Sequence, residues 1–194
     1  MTDDYAPSEQ GQLLGIARRT LEAVASGRPR PALDIKNLPP RLCEERACFV
    51  TFHIDRELRG CTGILAARRP LAEEVATTTV QTAFNDPRFP PVDAVEVPLI
   101  HIELSILTPS TPLKYDHPDD LLRLLRPNID GVTLRFGIYR STFLPQVWER
   151  VPNPAEFLTM LSRKMGLPGT TWRLPGMEVE IYQTINIVEA DTLK

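Results

Sequence analysis

The 194-residue sequence predicts an α+β fold, a mostly antiparallel sheet flanked by helices with a smaller subdomain. Three observations lead there. The strand-like segments alternate apolar and polar residues, as half-buried antiparallel strands do, and lack the continuous apolar runs of a doubly wound parallel sheet. Helix-period segments are interspersed irregularly between them. The crossings are long, and the 19 prolines are dispersed as dipeptides and helix starts, which reads as rigid loops.

Leu13, Leu14, Ala17, Leu21 and Val24 recur at helical spacing, so a first helix is expected over about 9–26, with Ser8 as its cap and Gly27 past its end. Arg28 to Pro31 and Pro39-Pro40 mark an irregular crossing. Cys48, Val50, Phe52 and Ile54 alternate with Phe49, Thr51 and His53 as a strand, Asp55-Arg56-Glu57 turns, and Leu58 to Leu65 returns as its partner. Pro70 suits the first position of a second helix. Leu71, Ala72, Val75, Ala76, Thr79, Val80 and Ala83 make its buried half, with Glu74, Thr77, Thr78 and Gln81 on the other side.

After a proline-rich loop, Leu99 to Leu107 alternates again. Ile100, Ile102, Leu104 and Ile106 face one way, toward the same core as the Cys48 row; His101, Glu103 and Ser105 face the other. A short apolar helix is expected over about 118–125, and Val132, Leu134, Phe136 and Ile138 mark a strand. Asn153 as cap, Pro154 at N1 and Glu156 at N3 start a helix that Gly166 ends, with Phe157, Leu158, Leu161 and Met165 as its stripe. Val179, Ile181, Ile185 and Ile187 give a C-terminal strand.

Composition excludes several classes. At 42% hydrophobic and 24% charged residues the chain is globular and too apolar to be disordered. The longest uncharged stretches, such as Val75 to Asn85, fall short of the roughly 18 apolar residues of a membrane span. The acidic N-terminus has no apolar h-region, so no secretory signal is expected and the cytoplasm is the default compartment. A net charge of −3 argues against a general nucleic-acid or anionic-membrane binder. Cys43, Cys48 and Cys61 form no CxxC pair, which disfavours a disulfide framework or a zinc finger. His53, His101 and His117 lack metal-ligand spacing, so no metal is expected. Without a Walker loop, GxGxxG or GxSxG the cofactor is unknown.

The chemistry-bearing segment is Leu58-Arg59-Gly60-Cys61-Thr62-Gly63. Gly60 and Gly63 inside a strand require compensation, by a bulge or by close approach of a backbone or a ligand. Alternation puts Arg59, read as an exposed arginine, on one face with Cys61, their Cβ atoms about 7 Å apart. At an effective dielectric near 20, that charge favours a thiolate by roughly 2 kcal/mol. Cys61 is therefore a candidate nucleophile still in need of a base, for which His53 and His101 are candidates. It reads otherwise as a small hydrophobe under a glycine kink. His101 and Glu103 share a face that is either the wall of a polar pocket or the solvent side of an edge strand. In the loop Asn85 to Pro91, Asp86 either pairs with Arg88 or organises a tight turn.

Leu-Arg-Gly-Cys-Thr-Gly at 58–63 closely resembles the six-residue signature of the AMMECR family, named for the chromosomal region of Alport syndrome, mental retardation, midface hypoplasia and elliptocytosis. Ala83 to Pro91, His101 to Pro109, Thr142 to Trp148 and Leu161 to Leu167 also match, in order, so the resemblance spans about residues 10–188. Thr62 stands where the signature typically has isoleucine. It points away from Cys61, so the departure bears on packing beneath the strand.

The resemblance implies a single AMMECR-type domain over 1–194 with a small subdomain annex. It also implies Memo-type and radical SAM proteins as partners, in a pathway modifying RNA or a nucleotide, without naming an activity. Three readings follow. In the first, an enzyme uses Cys61 as nucleophile, Arg59 as activator or anion clamp, and Glu103 or His101 for proton transfer. Asp86, Arg88, Gly60 and Gly63 then bind a small-molecule or RNA substrate. The second is a non-catalytic accessory that presents a substrate or binds a modifying enzyme. The third is RNA binding through Arg68, Arg69 and Arg88, which the acidic balance disfavours. The first two require Arg59 and Cys61 to lie beside the Asp86 to Pro91 loop and near Glu103.

Overall fold

Leu13, Ile16, Ala17 and Leu21 form one buried stripe, and the helix that carries them, α1 (Pro7–Ala25), starts earlier than expected. Ser8 is not its cap. Ala6 occupies that position, and its N–H donates to the Glu9 carboxylate at 2.8 Å. The end is as read: Gly27 has φ 71°, its N–H donates to the Val24 carbonyl, and that of Arg28 to Ala23. The computed structural model describes residues 4–190.

The remaining elements are β1 (Cys48–Ile54), β2 (Glu57–Gly63), α2 (Leu71–Phe84), β3 (His101–Leu107), β4 (Thr111–Pro112) and α3 (Leu121–Leu124). Then come β5 (Gly131–Phe136), β6 (Tyr139–Phe143), α4 (Pro154–Lys164), β7 (Glu178–Tyr182) and β8 (Thr184–Val188). The fold is α+β, with two antiparallel four-stranded sheets ordered β2-β1-β3-β8 and β4-β7-β5-β6. Among the described residues, its two compact units are 4–107 with 185–190, and 108–184.

In the first unit, Cys48, Val50 and Phe52 are buried with Ile100, Ile102, Leu104 and Ile106, as alternation predicts. Ile54, at the strand end, is only partly buried. Asp55 and Arg56 close the β1–β2 hairpin with φ of 50° and 68°, the left-handed pair of a type I′ turn. One expectation for α2 is overturned: Glu74 and Thr78 are buried. α2 packs on α1, β1 and β2 together, so its buried arc is wider than its apolar residues.

In the second unit, Trp148 stacks on Phe157 of α4 with ring centroids 3.7 Å apart. The Asn153 cap is as expected, its side chain accepting from the Ala155 and Glu156 N–H groups. Ile138 does not belong to a strand. Gly137 beside it has φ 58°, which turns the chain and leaves Ile138 exposed. The single C-terminal strand is in fact β7 and β8, which lie in different sheets. Their apolar residues keep one parity across Gln183, so periodicity is blind to the break. The helix expected over 118–125 is a 3-10 turn, Pro118–Asp120, followed by α3. Among the described residues, no helix is long and apolar enough to cross a membrane.

Candidate functional site

The hairpin register sets the geometry. Phe52 pairs with Gly60 but His53 with Leu58, so Arg59 is the extra residue of a β-bulge. The bulge sends Arg59 to Glu96: Nε and Nη2 donate to its two carboxylate oxygens at 2.8 and 2.9 Å, and Nη2 also donates to the Pro90 carbonyl at 3.1 Å. The Arg59 side chain is only 11% exposed, which corrects the expectation of an exposed arginine. The Arg59 hydrogen bonds hold the Glu96 carboxyl below its ordinary range. Arg59 Nη1 is buried and makes no hydrogen bond among the described residues.

Cys61 is gripped by its backbone and half-open at its side chain. Its N–H donates to Asp86 Oδ2 at 2.8 Å, and its carbonyl accepts from Arg88 Nη2 at 2.9 Å. The thiol is half-buried, and Sγ takes the Thr51 hydroxyl at 3.2 Å. Both readings of Asp86 hold together. Oδ1 accepts from the Arg88 N–H and Nε at 3.1 and 2.9 Å, Oδ2 from its Nη2 at 2.7 Å, and the same contacts organise the turn. Asp86 is buried, and its carboxyl lies well below the usual carboxylate range. The Arg88 guanidinium is the main cause, reinforced by the Cys61 and Arg88 backbone N–H groups against the opposing effect of burial.

Arg59 and Cys61 therefore do lie beside the Asp86 to Pro91 loop. Glu103 is further away than expected. Cys61, Thr51 and Glu103 form one cross-strand row over β2, β1 and β3, so two strand spacings, about 10 Å, separate Cys61 from Glu103. His53 and His101 pair directly in another row, two residues along. The group placed directly on Cys61 Sγ is the Thr51 hydroxyl. The electrostatic expectation also changes: Arg59 is paired with Glu96 and Arg88 with Asp86, so neither arginine is a lone cation.

The glycines serve packing. A Cβ on Gly60 would lie 3.1 and 3.2 Å from the Thr82 methyl and carbonyl oxygen. On Gly63 it would lie 2.3 Å from the Phe49 ring and 2.6 Å from the Cys48 carbonyl oxygen. Protein fills the space the sequence reading left open to a ligand. Thr62 faces α2, its Oγ1 hydrogen-bonded to Thr82 Oγ1 at 2.7 Å. The residue that departs from the signature thus joins a polar cluster under the strand.

Thr51 and Glu96 were missed. Thr51 was legible in principle, since a hairpin with one bulged residue sets it opposite Cys61. Glu96 has no sequence signal, as 37 residues separate it from Arg59. Among the described residues no group of three or more His, Cys, Asp and Glu is placed to hold a metal ion.

A family model described as AMMECR1 matches residues 14–187. A protein of Methanocaldococcus jannaschii is 36% identical over 174 residues, covering 86% of this chain and 83% of its own. One from Methanococcus aeolicus is 38% identical over 168 residues, with 84% and 83% covered. The crystal structure of an uncharacterized protein from Pyrococcus horikoshii matches with a TM-score of 0.79 and 31% identity, covering 94% of this chain and 92% of that one.

Proposed function

The chain belongs to the AMMECR1 family, and from that premise we propose that it is an enzyme or substrate-handling module in which Cys61 is the nucleophile. One observation carries the reading: both backbone polar groups of Cys61 are clamped by the Asp86–Arg88 pair, while its half-open thiol receives the Thr51 hydroxyl. A fixed backbone aims Sγ, and the hydroxyl stabilises a thiolate by hydrogen bonding to its charged form. Attack on an electrophilic substrate atom needs the thiol proton removed. Thr51 relays it: its hydroxyl turns from Sγ, takes the thiol proton on Oγ1 and passes its own proton to Glu103, opposite it on β3, which is the acceptor. His101 lies one row on.

Replacing Thr51 with valine tests this. Removing one hydrogen bond of about 1 kcal/mol should slow Cys61 alkylation by iodoacetamide roughly fivefold at fixed pH. Glu103→Gln should slow it further at neutral pH. An unchanged rate in both variants contradicts the Thr51–Glu103 path.

The same clamp favours a second reading. Arg59 and Arg88 brace the 86–91 loop against β2, which makes a rigid surface suited to an accessory module docking Memo-type or radical SAM proteins. In that case Cys61→Ser keeps partner binding intact, whereas the enzyme reading requires it to abolish turnover. RNA binding, as a third reading, requires an affinity that falls steeply with salt.

A further inference from the structure

The α2 side of β2, away from the Cys61 thiol, holds a cavity of about 340 Å³, within the size range of small-molecule sites. Thr62, Gly63, Arg69, Glu74, Thr78 and Gln81 line it. Glu74 is its distinctive group. The side chain is 2% exposed and its Oε1 accepts the Thr78 hydroxyl at 3.0 Å. Its Oε2 is buried without a hydrogen bond among the described residues.

Arg69 supplies charge but not that bond. Its Nε lies 3.1 Å from Oε2, yet its N–H is not aimed along the line, and its Nη1 donates instead to Thr77 Oγ1 at 3.2 Å. A buried carboxylate oxygen with no donor is unfavourable, and a donor brought by a ligand relieves it. Arg69 and Glu74 offset each other, and Arg30, which donates to the same Thr77 hydroxyl at 2.9 Å, is exposed and screened by water, so a charged ligand would leave an uncompensated charge beside Glu74. The complementary ligand is uncharged and carries a donor beside an acceptor: an N–H for Glu74 Oε2 and a carbonyl for Arg69 or the Gln81 amide.

We propose that this cavity binds a small uncharged molecule through a carboxamide or lactam edge, with Glu74 as acceptor and Arg69 as donor. The site is independent of the Cys61 reading. It assigns Thr62 a role: the hydroxyl at the isoleucine position of the signature adds polarity to the cavity wall.

Isothermal titration calorimetry on the whole protein tests the proposal, with nicotinamide as the carboxamide probe and uracil as the lactam probe. At least one should bind at millimolar concentration or below, and which one binds identifies the edge. 1,3-Dimethyluracil, which has no N–H, should bind at least tenfold more weakly than uracil, and Glu74→Gln should lose at least tenfold for the probe that binds. Arg69→Met, at a half-exposed side chain, keeps the test decisive should Glu74→Gln fail to fold, with an expected loss of about fivefold. No binding of either probe to the wild type, equal binding of the dimethylated control, or wild-type affinity in the folded variants would overturn the proposal.

Discussion

Asp86→Ala is expected to cost about 3 kcal/mol of stability and to lower the melting temperature by roughly 6–12 °C. The carboxylate receives the Cys61 N–H and three donors of Arg88. Arg88 itself is half-exposed, so water rehydrates its charge and the loss stays below that of breaking a fully buried pair. What water does not replace is the acceptor for the Cys61 N–H, and with it the link between β2 and the 86–91 loop.

The same carboxylate predicts an acid response. Its folded-state pKa is lowered, so its stabilising contribution is complete above the unfolded value near 4 and declines as pH falls below that value toward the folded one. Between pH 7 and pH 3 the wild type should lose more stability than Asp86→Asn, as read by urea unfolding. Parallel pH profiles would show that the Asp86 pair does not contribute to folding.

Gly63→Ala is expected to cost about 2–3 kcal/mol through overpacking. The Phe49 ring can turn away from the added Cβ. The Cys48 carbonyl, 2.6 Å from that Cβ, accepts the Ile64 N–H at 3.1 Å and cannot retreat without weakening the edge of the hairpin. Gly60→Ala meets only a 3.1–3.2 Å contact with Thr82 and should cost about 1 kcal/mol. Urea unfolding of both variants checks the order. Equal costs would mean that the β2 backbone is freer than its packing indicates.

The alternating rows Cys48–Val50–Phe52 and Ile100–Ile106 were legible because side-chain parity alone decides which face is buried. The Asn153 cap was legible because its chemistry is local. Three features were not. The Arg59–Glu96 pair joins residues far apart in sequence, and periodicity carries no information on which distant carboxylate an arginine meets. The bulge was foreseen as one option at the glycines, but its position at Arg59 depends on the hairpin turn, which fell one residue short of the expected Asp55-Arg56-Glu57. Glu74 falls with Thr77, Thr78 and Gln81 on the side of the helical wheel opposite the apolar half. Its burial follows from α2 packing on three elements at once. For the candidate site, the sequence brought Arg59, Cys61, Asp86 and Arg88 together, but it set Glu103 nearer than its two strand spacings and omitted Thr51.

The central claim is that Cys61 is a reactive thiol held by its backbone, and native-state alkylation tests it most directly. The folded protein is treated with iodoacetamide, and modification of each cysteine-bearing peptide is followed by mass spectrometry. Cys61 should react first. Cys43 is partly buried with its thiol directed at the Ile35 carbonyl, and Cys48 should react last, since burial, reinforced by the nearby Glu74, pushes its thiol up to about 12. Cys61 resisting modification until the protein unfolds, or reacting no faster than Cys43, would contradict the nucleophile assignment and leave the accessory module as the account of this fold.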